Sequence, residues 1–347
     1  MSPPRENPSG DRHSRSRLFP GIGEEGQRRV RGGSVAIVGV GAVGAAAAEM
    51  LARAGVGRLT LVDRDVVEPS NLSRQLLFDA RDAAEVAPKA AAAVRRLAAV
   101  APDTEVRGVV ADLNHDNAGG VLRGHTLALD ASDNFETRLL VSDACRSIGM
   151  ASIYAACVGE EGLVSFSRPE DPCLRCYLEE LPPAGSGPTC DTAGVVPTLP
   201  PTVAGIAATE ALRFLTGAET SRGVLAIRVW EGAWRTRRLF EEARPSRVCP
   251  ACAEGRFPAL EGEGASEVVK LCGRSAVQVA PSGRERPDLD ALERRLAAVG
   301  TVRRSEHLLA AEIEGVSLTM FSDGRCVVRG TGDLLRARTL YERYIGR

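Results

Sequence analysis

The sequence predicts an α/β fold. It reads as a Rossmann-like, mainly parallel sheet with helices on both faces, a four-cysteine zinc site, and a small C-terminal α+β domain. Three observations carry this reading. Short apolar runs of strand length alternate with alanine-rich or amphipathic stretches of helix length from Ser34 to Ala155. The first run opens onto Gly39-Val40-Gly41-Ala42-Val43-Gly44, and the next ends on Asp63. Two CxxC pairs, Cys173/Cys176 and Cys249/Cys252, stand far apart in the chain.

Taken in order, Met1 to about residue 11 is polar and rich in Pro and Gly, the composition of a disordered tail. Ser34–Val38 is a buried strand, followed by the glycine loop and a helix to about Ala54. Arg58–Asp63 is a second strand, then a helix spans about Pro88–Val100 and a strand Glu105–Val110. Thr126–Asp130 is a strand ending in an acid, Phe135–Ile148 a helix and Ala151–Ala155 a strand. Leu181–Pro201 breaks the rhythm with Pro and Gly and reads as a long loop. A helix at Thr202–Leu215 and β-rich text at Gly223–Phe240 close the large domain, which is set at residues 12–254. Ala253–Gly264 reads as a linker. Residues 265–347 give strand (267–279), helix (289–299), two or three strands (302–328) and helix (334–344), with an Asp-Gly hairpin turn at Asp323-Gly324.

Composition narrows the function. With 44 Lys and Arg against 45 Asp and Glu, the chain lacks the basic excess of a nucleic-acid surface. No apolar run is long enough to span a bilayer and no apolar leader precedes the tail, so the expected compartment is the cytoplasm. There, nine cysteines indicate metal or thiol chemistry before disulfides.

A strand–GxGxxG–helix unit offers a tight turn and the unpaired N–H groups of a helix start to a phosphate, and Asp63 stands where a carboxylate binds ribose hydroxyls. NAD, FAD and ATP all fit this unit. No GxxxxGK[ST] loop is present. Asp65, Asn71, Arg74, Gln75 and Lys89 follow, a set of polar and charged residues that favours a triphosphate, whose cleavage builds charge on the leaving group. Asp130, at the carboxyl end of a parallel strand, is placed to hold magnesium. The two CxxC turns present four thiolates, the closed tetrahedral set of structural zinc.

The strings Arg12-His13-Ser14-Arg15, Gly23-Glu24-Glu25-Gly26-Gln27, Val38 to Gly44, Ala54-Gly55-Val56-Gly57, Leu61 to Val67, Ser70 to Gln75, Pro88-Lys89 and Asp130-Ala131-Ser132-Asp133-Asn134 closely resemble the MoeB/ThiF family, bacterial relatives of the ubiquitin-activating enzymes. The match runs from about Arg12 to Cys252. The resemblance implies that Gly39, Gly41 and Gly44 line the phosphates, Asp63 holds the ribose, Asn71, Arg74 and Lys89 contact the phosphates, and Asp130 binds the magnesium. It implies ATP-dependent adenylation of the Gly-Gly carboxylate of a ubiquitin-like sulfur-carrier protein, releasing pyrophosphate, in cofactor biosynthesis or tRNA thiolation. Arg15 matches an arginine that the family inserts into the neighbouring subunit's site, which implies a homodimer. His13 and Ser16 replace the family's usual Tyr and Gln beside it. The family carries the same two cysteine pairs, and a cysteine in the setting of Cys190 that is implicated in covalent linkage to the carrier. Cys190 is either such a thiol or a spectator. No CxxxxR-type loop of a rhodanese is present, so a separate sulfur donor, a cysteine desulfurase or rhodanese, is expected. The competing readings are an NAD-dependent oxidoreductase with structural zinc and a non-catalytic nucleotide-binding scaffold.

Overall fold

A computed structural model describes residues 11–177, 193–221, 223–237, 249–263, 268–270, 275–280 and 287–345. These fall into two compact units, the first made of Met1–Leu181 and Val195–Glu263 and the second of Pro182–Gly194 and Gly264–Arg347.

The first unit is built on an eight-stranded sheet. Its elements are α1 (Ser14–Leu18), α2 (Gly23–Gly32), β1 (Ser34–Val38), α3 (Ala42–Arg53), β2 (Arg58–Asp63), α4 (Ala80–Ala84), α5 (Lys89–Val100), β3 (Glu105–Val110), α6 (Ala118–Leu122), β4 (Leu127–Asp130), α7 (Phe135–Ser147), β5 (Ala151–Val158), β6 (Glu161–Ser167), α8 (Leu174–Tyr177), α9 (Leu199–Thr216), β7 (Val224–Arg228), β8 (Ala233–Arg237) and α10 (Pro250–Ala253). The strands run in the order β3-β2-β1-β4-β5-β6-β7-β8. The four pairs from β3 to β5 are parallel and the three from β5 to β8 antiparallel.

Alternation along the parallel strands sends side chains into two cores. Val35, Ile37, Leu59, Leu61, Leu127 and Leu129 meet the alanines of α3 and α5 and the apolar face of α9 on one face. Ala36, Val38, Val62 and Ala128 meet α6 and α7 on the other. The alanine-rich helices have no bulk to hold them off the sheet, which explains why so little aromatic area is needed.

Several sequence expectations are corrected. Residues 14–18 and 23–32, to which the sequence reading assigned no element, are helical, and Gln27 on α2 donates to the carbonyl of Ala54 at 2.9 Å. Strand β5 runs on to Val158 and pairs with β6, a strand the sequence reading missed. Helix α9 starts at Leu199, not Thr202, because Pro200 and Pro201 occupy its first turn, where a missing N–H costs nothing. The segment after α10 is no free linker: Ala259 and Leu260 pack against the α6–α7 core, and the Ala259 N–H donates to Asp143 at 3.0 Å. Residues 1–10 and most of the Leu181–Pro201 loop lie outside the described residues.

The second unit is an antiparallel sheet, β11-β12-β13-β14-β10-β9, made of β9 (Val268–Lys270), β10 (Ala276–Val279), β11 (Thr301–Arg304), β12 (Leu308–Ile313), β13 (Val316–Phe321) and β14 (Cys326–Arg329). Helices α11 (Leu289–Ala297) and α12 (Leu334–Tyr344) contribute Leu292, Leu296, Leu340 and Tyr341 to the same core as its strands. Asp288 and Asp333 cap the two helices with side-chain bonds to the first-turn N–H groups. The expected Asp-Gly turn joins β13 to β14.

Phe166 anchors β6. It is 1% exposed, and its ring lies 5.3 Å from that of Phe214 on α9. Phe166→Ala is expected to cost about 3–5 kcal/mol, read as a lowered midpoint in a thermal melt; an unshifted midpoint would contradict the packing described.

Candidate nucleotide site and four-thiolate cluster

The centre of the parallel sheet sets the geometry. Strand β1 lies between β2 and β4, and Val38 pairs with Val62 on one side and Asp130 on the other. The chain leaves β1 through the glycine loop exactly where the strand order reverses, so the loop lies between the acidic ends of its two neighbours. Gly39 has φ of 84°, and its N–H donates to the carbonyl of Val62 at 2.8 Å. A Cβ on Gly44 would fall 1.9 Å from the carbonyl oxygen of Gly39, so only glycine lets α3 start this close to the strand. A Cβ on Gly41 would meet nothing within 4 Å. Gly41 is also the N-cap of α3 and supplies no side chain to the first-turn N–H groups.

Asp63 closes this loop. Its Oδ2 accepts the Val40 N–H at 2.6 Å and its Oδ1 the Asp65 N–H at 2.7 Å. Burial pushes its carboxyl up, the Lys89 ammonium pulls it back and Asp65 pushes it up again. Lys89, 4% exposed, is held from both ends. Its backbone N–H donates to the carbonyl of Asp65 at 2.9 Å and its Nζ lies 3.3 Å from Asp65 Oδ2. Val66 bridges Pro88, which brings the two segments together.

Asn71 is fully buried on a short turn, Pro69–Asn71. Its Oδ1 accepts the Glu68 N–H at 3.1 Å, and its Nδ2 has no hydrogen-bond partner among the described residues. A buried amide donor without an acceptor is costly and suits a site that an anionic oxygen completes. Arg74, half-buried, donates from Nη1 to the carbonyl of Ser70 at 2.8 Å.

Asp130 is 4% exposed. Its Oδ1 accepts the Ser132 N–H at 3.0 Å and the Ser132 hydroxyl at 2.6 Å, and among the described residues no donor reaches Oδ2. Burial pushes its carboxyl up, while the Ser132 hydroxyl and the Arg138 guanidinium draw it back down. Arg138 is the one charged neighbour here that the sequence reading did not single out.

Arg15 is not brought to this loop. It is exposed on α1, and the adjacent His13 ring lies against Gly55, past the far end of α3. At about 1.5 Å per residue, the twelve residues of α3 put roughly 18 Å between that end and Gly41. Cys190 lies outside the described residues.

The four cysteines of the two CxxC turns do converge. All four sulfurs lie within 4.8 Å of one another, with Cys173–Cys176 at 3.9 Å, Cys173–Cys249 at 3.5 Å and Cys176–Cys252 at 3.5 Å. A tetrahedral ion with metal–sulfur bonds of about 2.3 Å needs sulfurs roughly 3.8 Å apart, so this donor set fits a closed metal site. Arg175, inside the first CxxC turn, forks onto Asp143 of α7 with Nε–Oδ1 at 3.1 Å and Nη2–Oδ2 at 2.9 Å. Asp143 is 1% exposed and also takes the Ala259 N–H, so α7 joins both flanks of the cluster.

This fold and site define a nucleotide-binding α/β domain carrying a four-cysteine cluster. The chain matches the ThiF family over residues 13–251 and belongs to it. It is 39% identical over 337 residues to the sulfur carrier protein ThiS adenylyltransferase of Bacillus subtilis, covering 96% of this chain and 99% of that one. It is 38% identical over 255 residues to the SAMP-activating enzyme E1 of Haloferax volcanii, covering 72% of this chain and 92% of that one. Among solved structures, that of Escherichia coli MccB with MccA-N7isoASN shares the fold at a TM-score of 0.62 and 20% identity, over 72% of this chain and 76% of that one.

Cys176→Ser is expected to release about one metal ion per chain and to lower thermal stability, read by elemental analysis beside a melt. Metal-free wild-type protein with unchanged stability would contradict a structural metal.

Proposed function

We propose that this protein adenylates the C-terminal carboxylate of a ubiquitin-like sulfur-carrier protein ending in Gly-Gly, with a carrier of the ThiS kind as the first candidate. The observation that carries the reading is the near full-length likeness to the ThiS adenylyltransferase, which extends through both compact units. Support comes from a buried cation and a buried carboxylate on the segments flanking the glycine loop, and from a buried amide donor on the turn after β2 that lacks a partner among the described residues.

In this reading the loop N–H groups and the start of α3 receive phosphate oxygens, and Asp63 orients the ribose while holding the loop shut. Asn71 Nδ2 gains the acceptor it lacks. Lys89, aimed by Asp65, and Arg74 face the polyphosphate, where negative charge grows as the carrier carboxylate oxygen bonds to the α-phosphorus and the bond to pyrophosphate breaks. Asp130 would hold a magnesium ion, whose contribution is to neutralise charge on the departing pyrophosphate. The cysteine cluster would hold zinc, with all four positions taken by thiolate, which assigns it a structural task.

The reading includes a homodimer, in which Arg15, exposed on α1 and a helix length from its own chain's loop, would serve the partner's site. A separate protein, a cysteine desulfurase or rhodanese, would supply sulfur to the activated carrier. Such a cycle belongs in the cytoplasm. In keeping with that, no helix among the described residues is long and apolar enough to cross a membrane.

ATP–pyrophosphate exchange tests the reading. Exchange should depend on a Gly-Gly-tailed carrier and fall by about 10²–10³ in Asp130→Ala, the scale for removing one preorganised charge-stabilising group. Carrier-independent exchange, or full exchange in the variant, would contradict it.

A further inference from the structure

The turn after β4 contains a relay that the proposed roles leave unused. Arg138 sits in the first turn of α7, which Asn134 caps by accepting the Thr137 N–H at 2.8 Å. The guanidinium is held between two rings, 4.9 Å from the centroid of Phe135 and 5.2 Å from that of Tyr154. Tyr154 is the residue of β5 in register with Asp130 of β4. From this clamp Arg138 Nη2 donates to the carbonyl of Ser132 at 3.2 Å, and its Nε is buried without a partner among the described residues. Ser132 in turn spends both its N–H and its hydroxyl on Oδ1 of Asp130.

We propose that Arg138 is a positioning residue of this site: by fixing the Ser132 turn it presents the free Oδ2 of Asp130 to the divalent ion and sets the affinity for metal-bound nucleotide. The inference rests on the reading of Asp130 given above.

Two physical points favour a positioning role over simple packing. A methionine or leucine would fill the space between the two rings without the cost of partly burying a charge and leaving its Nε unpaired. Its bond to the Ser132 carbonyl also fixes the turn whose N–H and hydroxyl hold Asp130 Oδ1, which leaves Oδ2 open to a cation. Outer partners of metal ligands act in this way elsewhere, orienting the ligand atom and tuning its basicity.

The test measures binding rather than turnover. Manganese would be titrated into the full-length protein with a non-hydrolysable ATP analogue and free manganese followed by electron paramagnetic resonance. Arg138→Met and Ser132→Ala should each weaken metal–nucleotide binding about tenfold, the lower end of the range for outer-shell partners. Because both act through one relay, the double variant should fall well short of the product of the two effects. Arg138→Lys, which keeps the charge and one donor, should recover part of the loss. The content of metal bound by the cysteine cluster and the melting midpoint identify any variant that fails to fold. Wild-type affinity in folded Arg138→Met, or a fully multiplicative double variant, would overturn the inference while leaving the adenylation reading intact. Wild-type protein that binds no manganese–nucleotide, or Asp130→Ala that binds as well as wild type, would overturn both.

Discussion

The carboxylate of Asp63 bonded to the Val40 N–H governs the rest of the nucleotide site. Strand β1 ends between β2 and β4, and the chain must turn at once to enter α3 on one face of the sheet. Gly39 and Gly44 make the turn sterically possible, but they do not hold it. Asp63 holds it, because its buried carboxylate accepts the Val40 N–H of the loop and so ties the loop to the neighbouring strand's end. The Lys89 ammonium and the Val40 and Asp65 N–H groups offset part of the desolvation of that carboxylate, and Asp65 holds Lys89 by backbone and side chain. Loop, Asp63 and Lys89 are thus one interdependent assembly.

A second constraint acts on the opposite face. Helix α7 starts beside Asp130, carries Arg138 in its first turn, and buries Asp143 farther along. Asp143 takes the fork of Arg175 from one cysteine turn and the N–H of Ala259 from the segment beyond the other. Breaking a buried pair of this kind costs about 3–5 kcal/mol, since the surviving charge has no water to turn to. The cluster therefore closes the first unit by fastening residues 249–263 to the helix that begins at the site. The position of α7 beneath the Asp130 turn makes one rigid element serve both ends.

Much of this was legible in the sequence. Strands β1, β2 and β4 sit where their apolar runs place them, since strands buried on both faces read as continuous hydrophobic text, and β3 sits at its predicted bounds although it is a largely exposed edge strand. The cysteine pairs were legible because CxxC spacing is dictated by ligand geometry. Strand β6 was hidden by Gly162, Ser165 and Ser167, which dilute its alternation, and the prolines of α9 imitate a loop. Helices α1 and α2 are short and charged, with few apolar positions to betray a buried face. At the site, the identities of Lys89 and Asp130 were visible but their partners were not: a bond from Lys89 to Asp65 spans 24 residues and leaves no periodic trace. Arg138 carried no signal beyond being one arginine on a helix.

In the proposed function an anionic phosphate oxygen completes the buried amide of Asn71. A crystal structure of the protein with a non-hydrolysable ATP analogue tests it most directly. The expected result is a triphosphate lying over Gly41, with one of its oxygens within hydrogen-bonding distance of Asn71 Nδ2. Phosphates bound elsewhere, with Asn71 Nδ2 still buried and unpaired, would contradict the account.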